Sequence, residues 1–111
     1  MSRIGIAISA GPNPAEIIDL IVLAESLGYE SAWVAEGHGG DQFAILPSCA
    51  TRTSRIRLGT SISSVVVRTA PAIAMAASTI AYLSDGRFIL GLGSSHKGRS
   101  NPNMESFTAS R

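Results

Sequence analysis

An α/β fold built on a parallel sheet is what this sequence predicts, and three observations carry the prediction. Short runs of β-type residues alternate with longer segments of helical period, the alternation recurs four times at the spacing of one βα unit, and turn residues mark the junctions. Strands in this order, joined by right-handed crossovers, run parallel in a barrel or a doubly wound sheet. Every loop that follows a strand then falls on one edge. The 111 residues, 45% hydrophobic and 15% charged, suffice for one domain with a packed core and argue against disorder.

The first strand is Arg3 to Ser9, followed by the turn Ala10-Gly11-Pro12. Asn13 then caps a helix, Pro14 suits its first position, and Glu16 stands three residues after the cap to close a capping box. Ile17, Leu20, Ile21, Ala24 and Leu27 repeat at helical steps as one apolar stripe, and Gly28 supplies a left-handed stop. A second strand, Ser31 to Ala35, runs into the glycine-rich loop Glu36 to Gly40, and a helix opens near Asp41. Pro47 lacks a backbone donor, so that helix is expected to kink or restart there before ending around Thr53. The third strand, Arg55 to Ser61, leads through Ser63 to Val67 and on to Pro71, where a long helix begins. That helix runs to about Ser84 with Ile73, Ala76, Ala77, Ile80 and Leu83 as its buried face. Asp85-Gly86 turns the chain into a fourth strand, Phe88 to Leu92, beyond which serine, asparagine, glycine and proline dominate. The converging loops place Gly11, Glu36 to Gly40, Ser61 to Ser64 and Gly93 to His96 on one edge, where chemistry is expected.

A net charge of +1, from 9 basic and 8 acidic residues, leaves no electrostatic footprint for nucleic acid or an anionic membrane. No apolar stretch approaches a bilayer span, because Ile17 to Ala24 is broken by Asp19 and closed by Glu25. A lone cysteine, Cys49, forms no internal disulfide, and the N-terminus enters a strand pattern without a cleavable apolar segment; a cytoplasmic protein is expected.

Four segments resemble the luciferase-like monooxygenase family: Ser31-Ala-Trp-Val-Ala-Glu36, Thr53-Ser-Arg-Ile-Arg-Leu-Gly-Thr60, Arg68-Thr-Ala-Pro-Ala72 and Leu83-Ser-Asp-Gly-Arg-Phe-Ile-Leu-Gly-Leu-Gly93. They stand in the family's order and spacing between Ile4 and His96. The resemblance implies the first four βα units of a TIM (β/α)8 barrel, truncated. Residues 1–98 would form that half and residues 99–111 an irregular tail. It implies an oxidoreductase, either a monooxygenase or a hydride-transfer reductase, acting on a small organic substrate with coenzyme F420 or FMN lying over the strand ends.

By the same resemblance Glu36 occupies the family's acidic position after the second strand, for proton transfer or substrate orientation; relatives often place histidine directly after it, whereas here Gly37 intervenes before His38. Ser61-Ile62 matches a bulge with a cis peptide that buttresses the central ring, continued by Ser63 and Ser64. Gly93, Ser94 and Ser95 match the exit of the fourth strand, where small residues admit the cofactor, and His96 stands where a polar group faces the ring. Read from the residues alone, the same positions are a solvated carboxylate, surface histidines, turn serines and packing glycines. A dinucleotide fingerprint is rejected, because His96 replaces its third glycine and no helix pattern follows. Arg68 is expected to pair with Asp85, touch a cofactor oxygen or stay solvated, with a structural role preferred, and Trp33 to pack in the core. A complete barrel needs about 250 residues, so both outer strands would be open edges and self-association is expected. The alternative is a non-catalytic half-barrel that self-associates.

Overall fold

The computed structural model describes residues 4–8, 13–36, 40–94 and 108–109. In chain order the elements are β1 (Gly5–Ile8), α1 (Pro14–Ser26), β2 (Ser31–Val34), α2 (Gln42–Arg52), β3 (Arg57–Thr60), β4 (Ser63–Ser64), α3 (Ala70–Leu83), β5 (Phe88–Ile89), β6 (Leu92–Gly93) and β7 (Thr108–Ala109). The main sheet has the order β1-β2-β3-β5 with every neighbour parallel. A smaller sheet sets β4 parallel to β6 and β7 antiparallel to β6.

The register explains which face is buried. Ile6, Ala32, Leu58 and Phe88 lie in one row, and Ile8, Val34 and Thr60 in the next. The buried members of these rows join Ile17, Ile21 and Ala24 of α1, Ile45, Leu46, Cys49 and Ala50 of α2, and Ile80 of α3 in one core. Each isoleucine or leucine fully withdrawn there contributes on the order of 1.5–3 kcal/mol. α2 lies between α1 and α3. The alternate rows, Gly5-Ser31-Arg57 and Ala7-Trp33-Gly59-Ile89, look the other way. Trp33 is therefore not in the helix-covered core. It packs flat on that second face, where a Cβ added to Gly59 would stand 2.4 Å from its ring, and it donates from Nε1 to Ser31 Oγ at 3.0 Å.

The local signals form as expected at α1. Asn13 Oδ1 accepts from the Glu16 amide while the Asn13 amide donates to the Glu16 carboxylate, both at 2.9 Å, and Gly28 takes φ +90°. The stripe is narrower than the sequence suggests: Ile17, Ile21 and Ala24 are buried, whereas Leu20 and Leu27 lie on a flank that no described element covers. Leu83 of α3 is likewise exposed, and only Ile73 and Ile80 of its face are buried. α2 does not restart at Pro47. Asp41 caps it and one helix runs to Arg52, because a single missing donor is outweighed by the burial of Ile45, Leu46, Cys49 and Ala50 on both sides of the proline.

The fourth strand, read from the sequence as continuous from Phe88 to Leu92, is divided, and a further short strand resumes after the third, which ends at Thr60. The Ser61-Ile62 peptide is cis, as the resemblance implies, and separates β3 from β4. At the same level β5 gives way to β6 across Leu90 and Gly91. The Thr60 hydroxyl fills the gap, accepting from the Gly91 N–H and donating to its carbonyl, each at 2.8 Å. The Ser63 amide donates to the same carbonyl at 2.7 Å, and pairing resumes in the smaller sheet. No side chain fits at Gly91, since a Cβ would lie 2.4 Å from the Thr60 carbonyl oxygen.

Candidate functional site

The site lies at the C-terminal ends of the parallel strands, where β2 runs into Glu36 and β3 into the cis peptide. Ser63, Ser64 and Gly93 meet directly, because β4 pairs with β6 in the register Ser63 to Leu92 and Ser64 to Gly93. Ser61 is exposed and Ile62 half-buried beside them, and Ser94 follows half-buried after β6. His38, Ser95 and His96 lie outside the described residues.

Glu36 is tied to this group through Arg68. The chain leaves β4 in a turn whose Val65 amide donates to the Gly93 carbonyl at 2.9 Å and whose Val66 amide donates to Ser64 Oγ at 3.2 Å. Val65, Val66 and Val67 are exposed on this lip. Arg68 then reaches back to form ion pairs with Glu36 and Asp41, its guanidinium 4.7 Å from the centroid of the Phe43 ring. Glu36 is thus no solvated loop carboxylate, its side chain being 20% exposed. Asp85 is not the partner of Arg68. The two stand at opposite ends of the 14-residue α3, roughly 20 Å apart along its axis. Burial works against the charge of Arg68, but Glu36 and Asp41 outweigh it and hold its pKa above the usual arginine value.

Two side chains here escape a reading of the sequence. Gln42, fully buried at the first turn of α2, donates from Nε2 to the Val34 carbonyl at 2.9 Å and to that of Ile62 at 3.4 Å. It thereby joins the end of β2 to the cis peptide. Its Oε1, and the Oγ of the equally buried Ser63, have no hydrogen-bond partner among the described residues. Asp41 serves at once as the α2 cap and as a partner of Arg68. Only the capping role has a local signature; a glutamine at a helix start looks like any solvated polar residue. An open cleft of about 270 Å³ lined by Glu25, Gly28, Tyr29, Glu30, Arg55 and Arg57 lies at the opposite end of the strands from these residues.

A parallel βα sheet with small residues and an ion-paired carboxylate gathered at the strand C-termini is the arrangement of successive βα units in a (β/α)8 barrel. The profile of the luciferase-like monooxygenases matches residues 1–106, and the chain belongs to that family. It is 37% identical over 105 residues to an F420-dependent glucose-6-phosphate dehydrogenase of Amycolatopsis mediterranei, covering 85% of this chain and 32% of that one. The coenzyme F420-dependent tetrahydromethanopterin reductase of Methanopyrus kandleri superposes with a TM-score of 0.79 at 31% identity, over 86% of this chain and 28% of that one. The oxygenating constituent of 3,6-diketocamphane monooxygenase from Pseudomonas putida, in complex with FMN, shares the fold with a TM-score of 0.76 at 17% identity, over 85% of this chain and 30% of that one. The chain thus spans about a third or less of the length of these proteins.

Proposed function

We propose that this chain forms the N-terminal half of the active edge of an F420- or FMN-dependent oxidoreductase, either a monooxygenase or a hydride-transfer reductase, acting on a small organic substrate. The observation that carries the reading is the joint break of the third and fourth strands, with Ser61, Ser63, Ser64 and Gly93 brought together beside the cis peptide and Glu36 held on the same edge. These residues fit a flat polar ring. They are small, Ser61 is exposed, and the buried Ser63 Oγ has no hydrogen-bond partner among the described residues.

Ser61, Ile62, Ser63, Ser64, Gly93, Ser94 and Ser95 would hold such a ring, and Glu36, His38 and His96 would orient substrate and manage protons beside it. A bound flavin or deazaflavin supplies the two-electron chemistry. Glu36 acts here as a hydrogen-bond acceptor and counter-charge, and Gln42 keeps the ends of β2 and β3 in step. Fluorescence titration of the purified chain with FMN and with F420 tests the proposal. Saturable binding of either is expected, and binding of neither at high micromolar concentration removes it.

A second reading, a non-catalytic half-barrel that self-associates, is favoured by the uncovered sheet face and by the exposed Leu20, Leu23 and Leu27 of α1. In both readings two copies associate through the outer strands β1 and β5, four strands from each. Light scattering behind a sizing column then reports a dimer at micromolar concentration, and a purely monomeric species rejects this assembly. Residues 1–98 make up the barrel half and 99–111 a tail whose Thr108–Ala109 strand borders β6. A cytoplasmic location accords with a buried unpaired Cys49 and with the absence, among the described residues, of a helix long and apolar enough to cross a membrane.

A further inference from the structure

We propose that Arg68 is a positioning residue for Glu36, clamping one carboxylate oxygen so that the other, which makes no hydrogen bond among the described residues, is presented in one orientation at the strand edge. The importance of that presentation rests on the oxidoreductase reading; the clamp itself does not.

Arg68 is held on every side. One arm of its fork meets Glu36 Oε2, the other meets Asp41 Oδ1, and its plane lies against Phe43, leaving 18% of the side chain exposed. Asp41 is itself immobilised, because the same Oδ1 accepts from the Phe43 amide at 2.9 Å as the cap of α2. The stem is placed by the Val65–Val67 turn, which hangs from Gly93 and Ser64. A planar guanidinium spanning two carboxylates is rigid in a way that a lysine ammonium is not.

A purely structural arginine linking α2 to α3 would need only Asp41 and Phe43. Asp41 stays 58% exposed, whereas adding Glu36 withdraws a carboxylate from water, a cost that a tie between helices does not require. Glu36 Oε1 makes no hydrogen bond among the described residues, although the side chain is only 20% exposed. A carboxylate so withdrawn, with half its acceptor capacity unfilled, is arranged for an external O–H or N–H donor.

Nuclear magnetic resonance on the full chain, carrying ¹³C-glutamate and ¹⁵N-arginine, tests this without cofactor. In the unmodified protein the two Glu36 γ-methylene protons are expected to be resolved from one another, as for a side chain in one rotamer. In Arg68→Met they merge, and Arg68→Lys restores part of the separation. Separation retained in Arg68→Met, with only the Phe43 amide displaced, overturns the proposal and leaves Arg68 a brace for α2. Should Arg68→Met fail to fold, Glu36→Gln is read from the other side. Exchange of the Arg68 Nη1–H protons, which Glu36 accepts, about tenfold faster or more supports the clamp, and an unchanged rate overturns it. Failure of the cofactor titrations leaves these readouts untouched, so the two proposals fall separately.

Discussion

Arg87 spends every arm of its guanidinium on the frame beneath the site. It donates to the carbonyls of Ser84, Ile56, Ala50 and Thr53 and to the Thr53 hydroxyl, at distances from 2.7 to 3.1 Å. The C-terminal end of α2, the entry to β3 and the α3–β5 turn are thereby joined by one side chain, with its cation at a helix end that carries negative partial charge. Arg87→Ala is expected to lower stability by about 2–4 kcal/mol in urea unfolding, since several half-buried carbonyls lose their donor together. Glu25 does comparable work with the opposite charge. Desolvation raises its pKa, but hydrogen bonds from the amides of Arg55, Ile56 and Ser54, at 2.6 to 3.0 Å, more than reverse this and lower it from 4.5. A depressed carboxylate contributes fully above its unfolded value and loses that contribution as pH falls through the folded one. The thermal midpoint should therefore drop between neutral pH and pH 3 by more in the native chain than in Glu25→Gln. None of these three long-range roles is legible in the sequence, because Arg68, Arg87 and Glu25 reach partners 27 to 37 residues away. Asn13 with Glu16 is legible because its partners are three residues apart.

Elements were readable where one face alone decides them. Periodicity places α1, α2 and α3 within a few residues of their observed ends, yet it overstates the buried stripe of α1, since burial depends on which neighbours exist and not on the pattern alone. This yields a contrast: Ile21→Ala, at a fully buried position, should cost about 2–4 kcal/mol, whereas Leu23→Gln, 51% exposed, should stay within about 0.5 kcal/mol. Equal losses in the two variants would show the flank to be covered in solution. The double break of the sheet has no periodic signature at all, and only the resemblance anticipates the cis Ser61-Ile62 peptide. Its partner on the neighbouring strand is sharply testable. Gly91→Ala brings a methyl to 2.4 Å from backbone that cannot retreat, and should cost about 3 kcal/mol while disordering Ser63 and Gly93. Gly28→Ala, at a left-handed position with open space around it, should cost about 1 kcal/mol.

At the scale of the molecule, the helices cover one face of a four-stranded sheet and leave the other, with both outer strands, to whatever completes the barrel. The alternation of strands and helices is enough to read a parallel α/β sheet; that its units are those of a barrel is legible only through the family resemblance, with which the likeness to solved structures agrees. Cooperativity of the helix-covered side is open to a simple chemical assay. Cys49 is fully buried in the core, and burial, opposed only in part by Arg52, pushes its thiol up to about 12. A thiol reagent at neutral pH should therefore modify Cys49 only as fast as the chain unfolds, so labelling at the rate of an exposed thiol would deny the core as described.

The chain's single tryptophan, Trp33, rests across Gly5 and Gly59 on the uncovered face, in the row of the sheet opposite to the core. Its emission is consequently a native gauge of that face rather than of the packed interior. A partner half that seals the sheet shifts it to the blue, and an isoalloxazine ring at the strand ends quenches it by energy transfer, so the two events separate in one spectrum with no label added.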